Sequence, residues 1–220
     1  QLHEANTVAF QPYGRDTIEE VEKNIRTLQS GKWLKPTNTE SVFYFRANAH
    51  VRGGFFEKKY TVEIGDYAGE KSKEFDSSSD EWLHKTDYFK YVITSDIILL
   101  AIDGALIADK DNSGLNDTQS ALIAAMQVLL DEKGINLDSQ LEVPVAILIL
   151  KSDLLPEGYD PLEYGHFNRL FSLCEKRCRY FNSFKVSSIG SVDEKGNPTK
   201  HLLPKNVAEP MVWALRIIRL

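Results

Sequence analysis

The stretch VPVAILILKSD, residues 143–153, determines how the rest of the chain is interpreted. It is apolar up to Leu150 and then turns abruptly polar at Lys151, Ser152 and Asp153. An unbroken run of Val, Ile and Leu is typical of a strand that helices cover on both faces, as in parallel sheets. A second such run, DIILLAID at 96–103, ends in an aspartate. Together they predict an α/β fold with a doubly wound, mostly parallel sheet.

An antiparallel hairpin is predicted ahead of this sheet. SVFYFRANAH (41–50) and FFEKKYTVEIGD (55–66) have strand composition, and the VRGG between them supplies glycines for a tight turn. It would add one antiparallel edge strand to the sheet. The sequence FKVSSI (184–189) predicts the last strand.

Helical periodicity appears in three further segments. DTIEEVEKNIRTLQSG (16–31) predicts a helix capped by Asp16, with an apolar stripe that ends at Gly31. NDTQSALIAAMQVLLDEKG (116–134) and VAEPMVWALRIIRL (207–220) predict two more. The expected stripe of the first helix consists of Ile18, Val21, Ile25 and Leu28.

Composition limits the classes of protein. The 220 residues have no linker-like stretch, which predicts a single domain over 1–220. The net charge is −6 without a basic stripe, which argues against nucleic acid as a partner, and no apolar run is long enough to span a membrane. Cys174 and Cys178 are four residues apart in a helical pattern, a poor disulfide arrangement that favours a reducing compartment.

Polar residues follow the predicted strands at the points where the strands end. In open parallel sheets, ligands bind beyond the carboxyl ends of the strands. The sequence therefore predicts a ligand site built from the residues at these ends: Asp66, Asp103, Lys151, Ser152, Asp153, Ser187 and Ser188.

Each motif permits a specific chemistry and a plainer structural role. In GDYAGE, Asp66 could approach Mg²⁺ while the Gly69 N–H approaches a phosphate, or Asp66 could cap a helix. In LKSDLL, the Lys151 stem could lie along a purine and Asp153 could accept hydrogen bonds from guanine N1 and N2, or both could be ordinary strand-end residues.

Two other segments also leave alternatives open. Ser187 and Ser188 could offer backbone N–H groups to a guanine carbonyl, or form a common turn. Thr37, in the segment GKWLKPT, could bring its hydroxyl to Mg²⁺. The Gly31-Lys32 pair is not a phosphate-binding loop, because the required flanking glycine and Ser/Thr are absent.

Other kinds of site fit less well. DKDNSG at 109–114 imitates the start of a calcium loop, but its twelfth position is Ser120 rather than glutamate. The histidines lack zinc-ligand spacing. A phospho-acceptor receiver domain would also place an Asp and a Lys at strand ends, as Asp103 and Lys151 are, but the chain is too long and its opening hairpin does not fit.

The order of these motifs resembles that of the Ras-like P-loop GTPases. A Thr-bearing loop, a hairpin, D-x-x-G, a strand ending in Asp, K-x-D and a Ser-Ser turn follow one another along the chain. The chain is most similar to the bacterial double-GTPase family, through GKWLKPT (31–37), DYAGE (66–70) and NVAEPMVWAL (206–215). The likeness covers nearly all 220 residues.

The resemblance implies a role for each matching residue. Thr37 and Asp66 would hold Mg²⁺, Gly69 would sense the γ-phosphate, and Glu70 stands where relatives place the residue that orients the attacking water. Lys151 and Asp153 would recognise guanine, helped by Ser187 and Ser188. One departure is Leu150, where the family has Asn or Thr, so a hydrogen bond between the base loop and the phosphate loop is lost.

The family's first strand and phosphate loop are the larger departure. In the Ras-like plan this strand lies between the D-x-x-G strand and the strand that ends at Asp103, so we expect it in residues upstream of Gln1. The alternative is that NTVAFQPYGRDTIEEV (6–21) is a degenerate strand–loop–helix, with Gly14 to Thr17 where G-K-S-T would stand. Such a loop would bind a triphosphate poorly.

The predicted function is a guanine-nucleotide-binding molecular switch that hydrolyses GTP to GDP and phosphate with Mg²⁺, a nucleoside-triphosphate hydrolase. The alternative is a non-hydrolysing pseudo-GTPase that serves as a protein-interaction module. The resemblance implies a bacterial, cytoplasmic protein, with an effector or regulator that senses the switch regions. These regions would lie near Thr37 and across 66–80.

Overall fold

The computed structural model describes residues 8–35, 43–53, 56–66, 87–161, 165–190, 192–194, 197–199 and 201–218. The chain divides into two compact units. Unit 1 consists of Gln1–Glu74 and Val192–Leu202, and unit 2 consists of Phe75–Ser191 and Leu203–Leu220. The α/β class expected from the sequence is confirmed, whereas the assignment of 1–220 to a single domain stays a prediction.

Unit 1 contains an antiparallel three-stranded sheet and one helix. Its elements are β1 (Val8–Pro12), α1 (Arg15–Gln29), β2 (Phe43–Gly53) and β3 (Phe56–Asp66), with the strands in the order β1-β2-β3. The predicted hairpin is confirmed, since β2 pairs with β3 from Phe43↔Asp66 to Gly53↔Phe56. Residues 54 and 55, which join the two strands, lie outside the described residues.

Helix α1 is connected to β2 by Thr17, whose hydroxyl hydrogen-bonds the backbone of Tyr44 and Arg46. The helix has nearly the predicted length and is followed by Gly31, whose φ of 75° suits a glycine. The expected cap at Asp16 is wrong, because the N-cap position is Gly14 and Asp16 lies in the first turn. The expected stripe is only partly buried, since Ile18 and Ile25 are 42% and 44% exposed.

Unit 2 contains a parallel three-stranded sheet in the order β4-β5-β6 and five helices among its described residues. The strands are β4 (Ile98–Asp103), β5 (Val145–Leu150) and β6 (Phe181–Lys185). The helices are α2 (Asp87–Thr94), α3 (Gly104–Ala108), α4 (Asn112–Glu132), α5 (Asn168–Arg177) and α6 (Glu209–Ile218). A short 3₁₀ turn, Ser152–Leu154, follows β5.

The core of unit 2 lies between the sheet and helices α4 and α5. Alternate residues of β4 and β5 face it, together with Met126 and Leu129 of α4 and Leu170 and Cys174 of α5. Strand β5 meets the prediction in part: its core face is buried, and on the other face Ala146 is buried while Leu148 and Leu150 are half-buried. The same prediction is wrong for β4, whose Ala101 is exposed on the second face.

The expected single sheet is replaced, over the described residues, by two separate sheets of three strands. The last strand also differs from its predicted bounds: β6 begins at Phe181 and ends at Lys185, so Ser187 and Ser188 follow the strand instead of lying within it. Among the helices that the structure describes, none is long and apolar enough to cross a membrane.

The two cysteines are free and buried, as expected for an i, i+4 pair. Cys178 caps the carboxyl end of α5, and its N–H donates to the Cys174 carbonyl oxygen over 2.9 Å. A hydrogen bond to the Cys178 thiol, together with burial, raises the pKa of the Cys174 thiol well above its usual range. Cys174 is therefore a neutral core residue at physiological pH.

Candidate functional site

The carboxyl ends of the three parallel strands in unit 2 are joined directly to one another. Beyond β5, the Ser152 N–H donates to the Val186 carbonyl oxygen over 3.1 Å, and the Val186 N–H donates to the Ile149 carbonyl oxygen over 2.8 Å. The polar segment after β5 and the Ser-Ser segment after β6 are therefore neighbours. This confirms that the strand ends of unit 2 converge, which the sequence predicted from their polar residues.

Gly104 brings the end of β4 against the end of β5. A Cβ atom on this residue would clash with the Leu150 carbonyl oxygen and would lie 3.2 Å from the Lys151 carbonyl oxygen. Only glycine permits this backbone approach. Sequence reasoning overlooked Gly104, although a glycine directly after a buried strand ending in Asp is a signal for such an approach.

Lys151 and Asp103 form an ion pair across the ends of β5 and β4. The Lys151 Nζ atom lies 2.7 Å from the Asp103 Oδ2 atom, and the two side chains are 52% and 42% exposed. Asp103 Oδ1 accepts a hydrogen bond of 2.9 Å from the Ala105 N–H and so caps α3. Lys151 has a left-handed backbone, with φ 51° and ψ 39°, a conformation that few non-glycine residues adopt.

Asp153 has a carboxylate oxygen that is buried and unpartnered. The residue lies in the 3₁₀ turn after β5, and its Oδ1 atom has no hydrogen-bond partner among the described residues. A buried acceptor without a donor costs free energy, and such an atom calls for an explanation. A ligand that donates hydrogen bonds to this carboxylate would provide one.

Ser187 and Ser188 differ in what they can offer to a ligand. Ser187 is buried, its N–H donates to the Lys205 carbonyl oxygen over 3.0 Å, and its Oγ accepts from the Gly190 N–H over 2.9 Å. These bonds shape the loop and occupy the Ser187 N–H that the sequence assigned to guanine. Ser188 is exposed and directly follows this fixed residue.

The closing segment of the chain is attached to the end of β6. Lys205 exchanges two backbone hydrogen bonds with Ser187, and the Asn206 side chain donates to the Lys185 carbonyl oxygen over 3.0 Å. Trp213 of α6 packs on Phe184 with 5.8 Å between the ring centroids. The NVAEPMVWAL motif thus holds the segment after β6 in place.

Of the residues assigned to the phosphate and Mg²⁺, the structure describes only Asp66. Asp66 is the last residue of β3 in unit 1, and its backbone pairs with Phe43. Thr37, Gly69 and Glu70 lie outside the described residues. Their assignments stay predictions.

Two alternative sites are explained by ordinary structure. In the DKDNSG segment, Asp111 caps α4 by accepting a hydrogen bond from the Gly114 N–H. This cap explains Asp111 without a calcium ion. Helix α4 accordingly begins at Asn112, four residues before the predicted start. Within the part of the chain that the structure describes, no group of three or more His, Cys, Asp or Glu side chains could hold a metal ion.

The degenerate phosphate loop receives a different explanation. The strand–loop–helix outline is present as β1 and α1, but β1 is antiparallel to β2. Thr17, which would stand for the Ser/Thr of a phosphate loop, is 3% exposed, and its hydroxyl contacts the backbone of Tyr44 and Arg46. This hydroxyl is therefore committed to the fold.

Two clefts in unit 2 are lined by residues other than Lys151 and Asp153. One, of 310 Å³, is lined by Gln127, Leu130, Asp131, Leu173 and Arg177, and the other, of 120 Å³, lies beside Tyr159. The larger is at the lower limit for a small-molecule pocket. Its arginine donates through Nη2 to the Ile135 and Asn136 carbonyl oxygens, while its buried Nε atom, like Asp153 Oδ1, has no hydrogen-bond partner among the described residues. The strand ends remain the candidate site because several polar residues converge there, and neither cleft is lined by them.

Comparison with known proteins gives no match: neither a protein-family model, nor a curated protein, nor a solved structure is similar to this chain. What the fold and the site define is an α/β protein with a cluster of polar loops at the carboxyl ends of a parallel sheet. The function must therefore be argued from the residues of this cluster.

Proposed function

We propose that the protein is a guanine-nucleotide-binding molecular switch that hydrolyses GTP. The observation that carries the proposal is the buried, unpartnered Oδ1 atom of Asp153, in a turn hydrogen-bonded to the segment after β6. Guanine carries N1–H and N2–H donors side by side, which match the two oxygens of one carboxylate. Adenine lacks this pair of donors, so Asp153 would select the base.

The remaining parts of the proposal rest on the resemblance to Ras-like GTPases. Thr37 and Asp66 would hold Mg²⁺, Gly69 would contact the γ-phosphate and Glu70 would orient water. When bound, the metal ion would neutralise charge on the β- and γ-phosphates. The proposal includes the Ras-like fold, an effector protein that senses the bound nucleotide, and a cytoplasmic location.

The test is the nucleotide preference of Asp153→Asn. Wild-type protein should bind GDP more tightly than xanthosine diphosphate, and D153N should reverse this order, since xanthine presents a carbonyl where guanine presents an amine. The expected loss for GDP is roughly 10- to 100-fold, corresponding to charge-assisted hydrogen bonds of about 1.5–3 kcal/mol. Titration with fluorescent nucleotides in the presence of Mg²⁺ measures both affinities.

Glu157→Gln is the matched control, because Glu157 is an exposed acid in the same loop. It should leave the preference for GDP unchanged. A D153N protein with unaltered preference would contradict base recognition by Asp153. Phosphate release from GTP then separates a switch from the pseudo-GTPase alternative, which would bind nucleotide without turnover or not bind it at all.

A further inference from the structure

Asp103 is held in a fixed position at the end of β4. Its Oδ1 atom accepts from the Ala105 N–H over 2.9 Å, and the adjacent Gly104 presses against the backbone of Leu150 and Lys151. The other oxygen, Oδ2, remains directed to the Lys151 ammonium at 2.7 Å. One carboxylate thus connects the start of α3 to the lysine after β5.

This ion pair contributes little to the stability of the fold. The Lys151 and Asp103 side chains are 52% and 42% exposed, and exposed pairs of this kind add little because water and salt screen them. The ion pair matters more for the conformation of the Lys151 side chain than for the stability of the fold. A lysine side chain has many rotamers, and the ion pair restricts them by fixing the ammonium end.

We infer that Asp103 is a positioning residue for nucleotide binding, which holds Lys151 so that its methylene stem forms one wall of the purine site. This inference rests on the proposed function. The left-handed backbone of Lys151 fixes where the side chain starts, and Asp103 fixes where it ends. A ligand that stacks on a stem ordered in advance does not bear the entropic cost of ordering it.

The experiment is a double-mutant cycle with Asp103→Asn and Lys151→Met, read as the dissociation constant for GDP. Asparagine keeps an oxygen that can cap α3, and methionine keeps an apolar stem without the ammonium. We expect D103N to weaken GDP binding roughly two- to fivefold, because an exposed ion pair can supply no more than this towards ordering the lysine side chain. In a K151M background, D103N should add no further loss.

Two readouts separate positioning from a general structural role. D103N should weaken GDP and GTP by the same factor, because the stem contacts the base that both share, and it should leave the melting temperature nearly unchanged. Lys151→Arg keeps a cation for Asp103, so D103N should still weaken binding in that background. Independent effects of D103N and K151M, or a loss confined to GTP, would overturn the inference.

The inference and the proposed function fail in different ways. If wild-type protein binds no guanine nucleotide, the proposed function is wrong and the inference falls with it. If wild-type protein binds GDP and the cycle shows no coupling between Asp103 and Lys151, only the inference is wrong. Circular dichroism of each variant checks that it is folded.

Discussion

At the scale of single residues, Asp153 has two opposing consequences for the protein. Its buried Oδ1 atom lacks a hydrogen-bond donor among the described residues, which destabilises the ligand-free fold. The same oxygen has an unused acceptor position, which a ligand's N–H groups would fill once the atoms that cover it move aside. Groups that destabilise a fold locally are common at binding sites, where function requires them.

Removing this carboxylate should stabilise the ligand-free protein. We expect Asp153→Ala to raise the free energy of unfolding by about 1 kcal/mol, because it deletes a buried acceptor that lacks a partner. Urea unfolding measures the change. Glu157→Ala, in the same loop but exposed, should stay within about 0.5 kcal/mol of wild type. A destabilised D153A protein would show that the carboxylate is satisfied in the native state.

At the scale of elements, Thr17 explains how α1 is attached to the sheet of unit 1. The pairing of β1 with β2 ends at Pro12, opposite Ala47, followed by one more backbone hydrogen bond from the Tyr13 N–H to the Arg46 carbonyl oxygen. There the Thr17 hydroxyl donates to the Tyr44 carbonyl oxygen over 3.4 Å and accepts from the Arg46 N–H over 3.3 Å. The Thr17 side chain thus takes the place of a strand residue as hydrogen-bond partner of the β2 backbone.

Thr17→Val should destabilise the protein, since valine keeps the shape of threonine but leaves these two backbone groups without the hydroxyl. The expected loss is about 0.5–1.5 kcal/mol in the free energy of unfolding, measured by urea denaturation. Thr17→Ser keeps the hydroxyl and should lose much less. Equal losses for the two variants would mean that the methyl group, not the hydroxyl, attaches the helix.

At the scale of the whole molecule, each unit has its own sheet. Whether the two units form a single domain, as predicted, can be tested by asking whether they unfold cooperatively. A domain with a common core unfolds in one transition. Trp33 belongs to unit 1 and Trp213 to unit 2, so each reports on one unit. We expect both to report the same urea midpoint in variants that keep only one tryptophan.

These two variants carry W82F together with either W213F or W33F. Circular dichroism of each provides the control, because it follows the helices of the whole chain rather than one tryptophan. Midpoints that differ between the two fluorescence signals would indicate that the units unfold independently, and the single-domain assignment would then be wrong.

Local patterns in the sequence predicted the elements well. The hairpin, α1 and β5 follow from signals within a few residues, namely paired glycines, helical periodicity and an unbroken apolar run. The convergence after β5 and β6 also followed, because the carboxyl ends of adjacent parallel strands share one edge of a sheet.

Tertiary packing accounts for what the sequence could not predict. The run IILLAI at 97–102 is as apolar as β5, yet Ala101 is exposed, since burial depends on which elements cover a strand and not on its composition. The commitment of the Ser187 N–H to Lys205 depends on a segment 18 residues further along the chain. Such partners leave no local signal.

The buried thiols of Cys174 and Cys178 allow the opening of the core of unit 2 to be followed by thiol alkylation. An alkylating reagent attacks the thiolate form, and both sulfur atoms lie in the core next to α4. Labelling therefore requires the core to open, so its rate follows the frequency of opening. Mass spectrometry of the alkylated, intact chain can measure this rate without an introduced mutation.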